Sequence, residues 1–147
     1  MTRMVISSDP IAVREALQAL FDTFLMRTMP EAERGTAEIV LAEALNNIVE
    51  HAYASDSGEI EVTLRLIRSD LSCRIVDQGK PMPQDALPPG LPPELDPGQD
   101  LPEGGFGWHL IRTLARDLSY RRIDGRNQLT FRLNAVSPTG PPPDQKQ

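Results

Sequence analysis

The chain has 147 residues, 39% of them hydrophobic and 24% charged, with a net charge of −6. That is enough chain for one domain with a real core, and no apolar run approaches the roughly 20 residues a bilayer-spanning helix needs. The acidic balance argues against a general nucleic-acid binder, whose affinity would come from neutralising phosphates. Cys73 is the lone cysteine, so no internal disulfide is possible, and the opening MTRMVISSDP lacks a signal-peptide pattern. The expectation is a cytoplasmic protein with no direct contact with nucleic acid or membrane.

Residues 3–7, RMVIS, read as a short strand. Ser8 or Asp9 can cap the following helix, with Pro10 in its first turn. Val13, Leu17, Leu20, Phe21 and Phe24 recur there at helical spacing. Met29-Pro30 breaks that helix. A second helix is expected from about Glu31 to Ala54, ending at the turn SDSG. The period then changes to alternation in EIEVTLRLI, a half-buried strand. Ser69-Asp70 reads as a turn, and LSCRIVD as the next strand. Cys73 shares one side of it with Leu71 and Ile75, as a small core residue would.

From Gly79 to Gly107 regular patterning disappears, and this stretch holds more than half of the 14 prolines. A loop of that length in a compact domain is functional or disordered. WHLIRTLARDL then reads as a helix. LSYRRI and QLTFRLNAV read as strands joined by DGRN, a hairpin turn. The tail from Ser137 to Gln147 is polar, proline-rich and expected to be disordered, so the domain is placed at residues 1–136. Arg112, Arg116, Arg121, Arg122, Arg126 and Arg132 crowd the C-terminal third, as a solvated face or as a patch for an acidic partner. Hairpin pairs with helices between them imply an α+β sandwich: a mixed, mostly antiparallel sheet with helices on one face.

The stretch LAEALNNIVEHAY concentrates chemistry. With about 100° per residue, Glu43, Asn46, Asn47, Glu50 and His51 fall on one face, opposite Leu41, Leu45, Ile48 and Ala52. Any surface helix can show that division. Two further features converge with it, however. LSCRIVD ends on Asp77, and Gly79 follows where a side chain would block a ligand's approach. The long loop closes on GGFGWHL, where glycines at a helix start offer free N–H groups to an anion.

EALNNIVEHAY, DQGKPMP, GGFGWHLIRTLARDLSYRR and NQLTFRL together resemble the GHKL ATPase superfamily, with its Bergerat ATP-binding fold. Within it they resemble the anti-sigma factor serine/threonine kinases of bacteria, over nearly all of residues 1–135. The resemblance implies ATP and Mg²⁺ as cofactors. Asn47 would hold Mg²⁺ through its carbonyl oxygen, and Glu43 would be the general base. Asp77 would accept from the adenine amino group, Gly79 would admit the base, and Thr130 would support that contact. Gly104, Gly105, Phe106 and Gly107 would form the phosphate-binding turn, and residues 80–104 the lid. His51, Trp108 and His109 would lie beside the nucleotide, with packing as their alternative role.

The resemblance further implies a kinase that phosphorylates a serine on an anti-sigma factor antagonist, a STAS-domain protein. It implies that the chain sequesters a sigma factor and forms a homodimer. Glu50 stands where many histidine-kinase relatives place a basic residue, which favours the anti-sigma branch. No Lys or Arg lies between Pro81 and His109; only Lys80 precedes that span. A non-catalytic ATP-binding module that switches a partner is the alternative. A histidine-kinase catalytic domain ranks last, because no phosphoacceptor helix precedes the ATP domain.

Overall fold

The computed structural model describes residues 1–54, 56–88 and 105–136. Its five strands are β1 (Thr2–Ser7), β2 (Glu59–Ile67), β3 (Asp70–Asp77), β4 (Arg116–Ile123) and β5 (Arg126–Asn134). They form one sheet in the order β1-β2-β3-β5-β4. Every neighbouring pair is antiparallel, so the expected α+β sandwich is present and the sheet is antiparallel throughout rather than mixed. The helices are α1 (Pro10–Phe21), α2 (Phe24–Arg27), α3 (Glu31–Asn47) and α4 (Gly105–Leu114).

Local chemistry explains most boundaries. Asp9 caps α1, its carboxylate accepting from the Ile11 and Ala12 N–H groups, with Pro10 in the first turn. Asp124 and Gly125 both have positive φ, as a tight hairpin between twisted strands demands. The β2–β3 turn falls at Arg68 and Ser69, one residue before the expected place, with Arg68 at φ 59°.

Three helices differ from the sequence pattern. The first ends at Phe21 with Asp22 as its C-cap, and Phe24 opens the separate short helix α2 well before Met29-Pro30. The last one stops at Leu114, and Arg116 already pairs with Arg132 in the sheet. Asp117, at φ 53°, falls within the β4 irregularity between Arg116 and Ser119. The long helix is α-helical only to Asn47 and continues as a π-helix over Ile48–Tyr53. Such widened turns concentrate at functional sites.

The core lies between the helices and one face of the sheet. Val62, Leu64, Leu71, Ile75, Phe131 and Leu133 come from the strands, and Val40, Leu41, Leu45 and Ile111 from the helices. Full burial of each such side chain contributes roughly 1.5–3 kcal/mol. Cys73 is part of this core, and burial pushes its thiol well above the ordinary range, so it stays neutral. Helix α3 packs against α1 on one side and α4 on another. That central position makes its polar residues informative, because burial of a polar group requires a partner or a purpose.

Candidate functional site

Three polar or charged side chains, tyrosine aside, are buried among the described residues: Asn47, Asp77 and Asn127. All three line one cavity of about 500 Å³. Its walls come from the end of α3 and the π turn (Ala44, Ile48, His51, Ala52), from Lys80 to Pro83, from Trp108 on α4, and from Tyr120 and Leu129 on the sheet. A mostly apolar cavity with a few convergent polar groups is the form a small-molecule site takes.

Asn47 donates its amide Nδ2 to the Glu43 carbonyl at 3.0 Å. A carbonyl only accepts, so this bond fixes the amide orientation and leaves Oδ1 as the group's acceptor. Glu43 is half-buried one turn earlier. A Cβ added at Gly107 would lie 2.6 Å from Glu43 Oε2 and 3.5 Å from Asn47 Nδ2. Glycine at the start of α4 therefore lets that helix's N-terminal turn, whose first N–H groups have no partner within the helix, settle against both side chains. The amide oxygen Oδ1 is the kind of hard donor that a divalent cation takes. No cluster of three His, Cys, Asp or Glu ligands exists among the described residues, so phosphate and water oxygens would complete its coordination.

Asp77 closes the other part of the lining. Its Oδ1 accepts from Gly79 N–H at 2.8 Å and from Asn127 Nδ2 at 2.8 Å. Oδ2 is the acceptor left over. Burial pushes the Asp77 carboxyl up; the bonds from Asn127 and Gly79, and the charge of Arg122, pull it back in part. Asn127 is a hub. Its Nδ2 also reaches the Lys80 carbonyl at 2.8 Å, and its Oδ1 accepts from Tyr120 Oη at 2.6 Å and Arg122 Nη1 at 2.9 Å. Arg122 donates to the Gly79 carbonyl as well, and Tyr120 Oη accepts from Met82 N–H.

Gly79 rests on the π turn. An added Cβ would meet the Ala52 carbonyl oxygen at 2.5 Å, while Lys80 N–H donates to that oxygen at 2.7 Å. The contact is backbone on backbone and cannot yield by a rotamer change. Gly79→Ala should therefore cost about 1–3 kcal/mol of stability. Chemical denaturation checks this; an unchanged midpoint would mean the loop is not seated on the helix.

Of the residues singled out from sequence, Asn47, His51, Asp77 and Trp108 come together in the cavity lining. His51 is exposed at its rim, with Glu50 Oε2 3.9 Å from Nε2, and Trp108 is buried. Glu43, Gly79 and Gly107 adjoin the lining through the contacts above. Gly105 begins α4, and Gly104, the side chain of Phe106 and lid residues 89–104 lie outside the described residues, as does the tail from residue 137. His109 is not among the lining residues.

Thr130 is a correction. It pairs with Arg74 and Ser119 in register and shares a strand face with Gln128 and Arg132, while Asn127, Leu129 and Phe131 face the helices. The residue opposite Asp77 in register is Asn127. Sequence reasoning missed Asn127, Tyr120 and Arg122. The usable signal was parity: Asn127 is the polar member of the otherwise apolar alternation Leu129, Phe131, Leu133. Asn46 also departs from the expected polar face. It lines a separate groove with Arg14, Gln18 and Glu38, between α1 and α3. The arginine crowd is partly tied down internally: Arg112 donates to the Pro88 carbonyl, Arg116 pairs with Asp70, and Arg132 lies near Asp70 and Asp117.

A family model described as a histidine kinase-like ATPase domain matches residues 6–133. The serine/threonine-protein kinase BtrW of Bordetella bronchiseptica is 42% identical over 100 residues, 67% of this chain and 68% of that protein. The serine-protein kinase RsbW of Bacillus thuringiensis is 34% identical over 94 residues. That match spans 63% of this chain and 59% of RsbW, less than two thirds of its length. Among solved structures, the blue-light activated histidine kinase EL346 of Erythrobacter litoralis aligns with a TM-score of 0.57. It shares 16% identity and covers 84% of this chain and 39% of that one, a likeness of fold.

Proposed function

Since the chain belongs to the histidine kinase-like ATPase domain family, we propose that it is an ATP-dependent serine/threonine protein kinase acting as an anti-sigma factor. The observation that carries the reading is that the buried polar side chains Asn47, Asp77 and Asn127 all converge on one cavity. The kinase names of the relatives BtrW and RsbW support the choice of reaction. In this reading Asp77 Oδ2 accepts from the adenine amino group, and Trp108 and Leu129 bound the cavity that takes the base. Gly105, Gly107 and the first N–H groups of α4 receive the phosphates.

Asn47 Oδ1 would hold Mg²⁺, which supplies charge neutralisation at the phosphates when bound. Glu43 takes the proton from the attacking serine hydroxyl as its oxygen bonds to the γ-phosphorus. The bond from that phosphorus to the β–γ bridging oxygen breaks, and ADP leaves with the electron pair. The chain's contribution is positioning plus one base. The partners assigned to it are a STAS-domain anti-sigma factor antagonist as phosphoacceptor, a sigma factor held in check, and a second copy of the chain.

The deciding experiment incubates the protein with γ-labelled ATP and a purified antagonist. Label on an antagonist serine is expected. ATP binding without transfer would leave a regulatory module that only switches its partner. A companion measurement isolates the metal: Asn47→Ala should weaken the Mg²⁺-dependent part of ATP affinity by at least about tenfold. Calorimetry with and without Mg²⁺ reads it, and a wild-type Mg²⁺ increment would remove Asn47 as the ligand.

A further inference from the structure

We propose that Tyr53 is a positioning residue for base recognition: its hydroxyl hooks the Asp77–Gly79 segment to the end of the π turn and fixes where Asp77 presents its free oxygen. The inference rests on the reading of Asp77 as the adenine acceptor. The Tyr53 O–H donates to the Glu59 carbonyl at 2.7 Å and accepts from Gln78 N–H at 2.9 Å. One phenol therefore ties the π turn to the start of β2 and to the residue between Asp77 and Gly79. Burial pushes the phenol's ionisation up, which keeps the proton the Glu59 bond needs.

The ring itself is clamped. It is buried, and a Cβ added at Gly58 would lie 2.3 Å from its Cε1. Gly58 is in turn fixed by Ser8, whose N–H donates to the Gly58 carbonyl and whose Oγ accepts from Gly58 N–H, both at 2.9 Å. The hook is thus anchored at the junction of β1 and α1, far along the chain from the loop it holds.

A second hook lies beside it. Lys80 N–H donates to the Ala52 carbonyl at 2.7 Å. Gln78 and Lys80 flank Gly79, and both are tied to consecutive residues of the π turn. Asn127 holds Asp77 and the Lys80 carbonyl from the strand side. The segment is therefore gripped from helix and sheet together, and Tyr53 supplies the helix-side grip nearest Asp77. Tyr53 is not itself among the residues that line the proposed ligand site, so its action would pass through Asp77. Small displacements matter here, because a recognition group must be held within about 0.5 Å of its productive place.

The test uses Tyr53→Phe, which keeps the ring in its slot and removes both hydrogen bonds. Calorimetry with ATP·Mg²⁺ and GTP·Mg²⁺ reads affinity, since guanine offers a carbonyl where adenine offers its amino donor. ATP affinity should fall by on the order of tenfold, GTP affinity should hold, and the preference for ATP should shrink. In an Asp77→Asn background the same substitution should have no further effect on ATP. Gly58→Ala, whose Cβ would displace the ring at its hydroxyl end, should reproduce the ATP-selective loss and serves if Tyr53→Phe fails to fold. Wild-type ATP affinity in Tyr53→Phe, equal losses for both nucleotides, or an additive loss in the Asp77→Asn background would each overturn the proposal. Wild-type ATP affinity in Asp77→Asn alone would instead bring down the adenine reading, and this inference with it.

Discussion

Glu43→Gln is expected to reduce phosphoryl transfer to the antagonist by roughly 10²–10⁴-fold, the range for loss of a general base. The amide keeps the carboxylate's shape, so the packing of Gly107 against position 43 survives. Affinity for ATP should change little, because Asn47 and Asp77 carry the metal and the base in the proposed reading. A fall in turnover without a fall in binding is the signature of a group used in the transition state alone. Transfer assays and calorimetry on the same preparation check both halves. A variant that phosphorylates at the wild-type rate would show that the hydroxyl needs no base at this position, and one that loses binding in step with turnover would make Glu43 a ligand-holding residue.

Asp77→Asn should separate stability from function. Asparagine Oδ1 can still accept from Gly79 and Asn127, so the hub around Asn127 is kept. The remaining atom changes from acceptor to donor and opposes the adenine amino group. A polar site that leaves two donors facing each other rejects its ligand strongly, and ATP affinity should fall on the order of 10²-fold. The free protein should move the other way. Burial holds the Asp77 carboxyl above its unfolded value, so the neutral form favours folding. That contribution is fully present below the unfolded pKa and is lost as pH rises through the folded one. At neutral pH the ionised, buried carboxylate is therefore a cost, which asparagine removes. Thermal unfolding across pH should show the variant above the wild type at pH 7, with the gap closing in acid. A variant less stable than wild type at pH 7 would mean the carboxylate's hydrogen bonds outweigh its desolvation.

A fold with this much local signal was largely readable from the chain. Alternation in EIEVTLRLI and LSCRIVD placed two strands and their inner faces, because a side chain's face in a strand follows from counting by two. Asp9 and Pro10 marked the start of α1, and Asp124-Gly125 the hairpin, because capping and tight turns depend on residues within three or four positions. The spacing of Glu43 and Asn47, four apart on one helix, likewise required nothing beyond the helix itself.

What depended on distant parts of the chain stayed hidden. Asn46 and Asn47 are neighbours, yet the packing of α1 and α4 on different sides of α3 sends one to a separate groove and the other to the cavity. The π turn from Ile48 to Tyr53 has no mark in the residue pattern, which reads as one continuous helix. It is seated by the loop at Gly79 and Lys80. The partner of Asp77 could not be read from spacing, because Asn127 meets it only through the register of β3 on β5, 50 residues apart. Thr130, expected at the adenine contact, falls on the other strand face, a parity that NQLTFRL carries and the sheet register places opposite Arg74 and Ser119. The chain by itself thus determined the elements, their inner faces and the local pairs of chemical groups. The tertiary structure decided which pairs share a cavity, because register and helix packing are set by contacts between segments that no local spacing encodes.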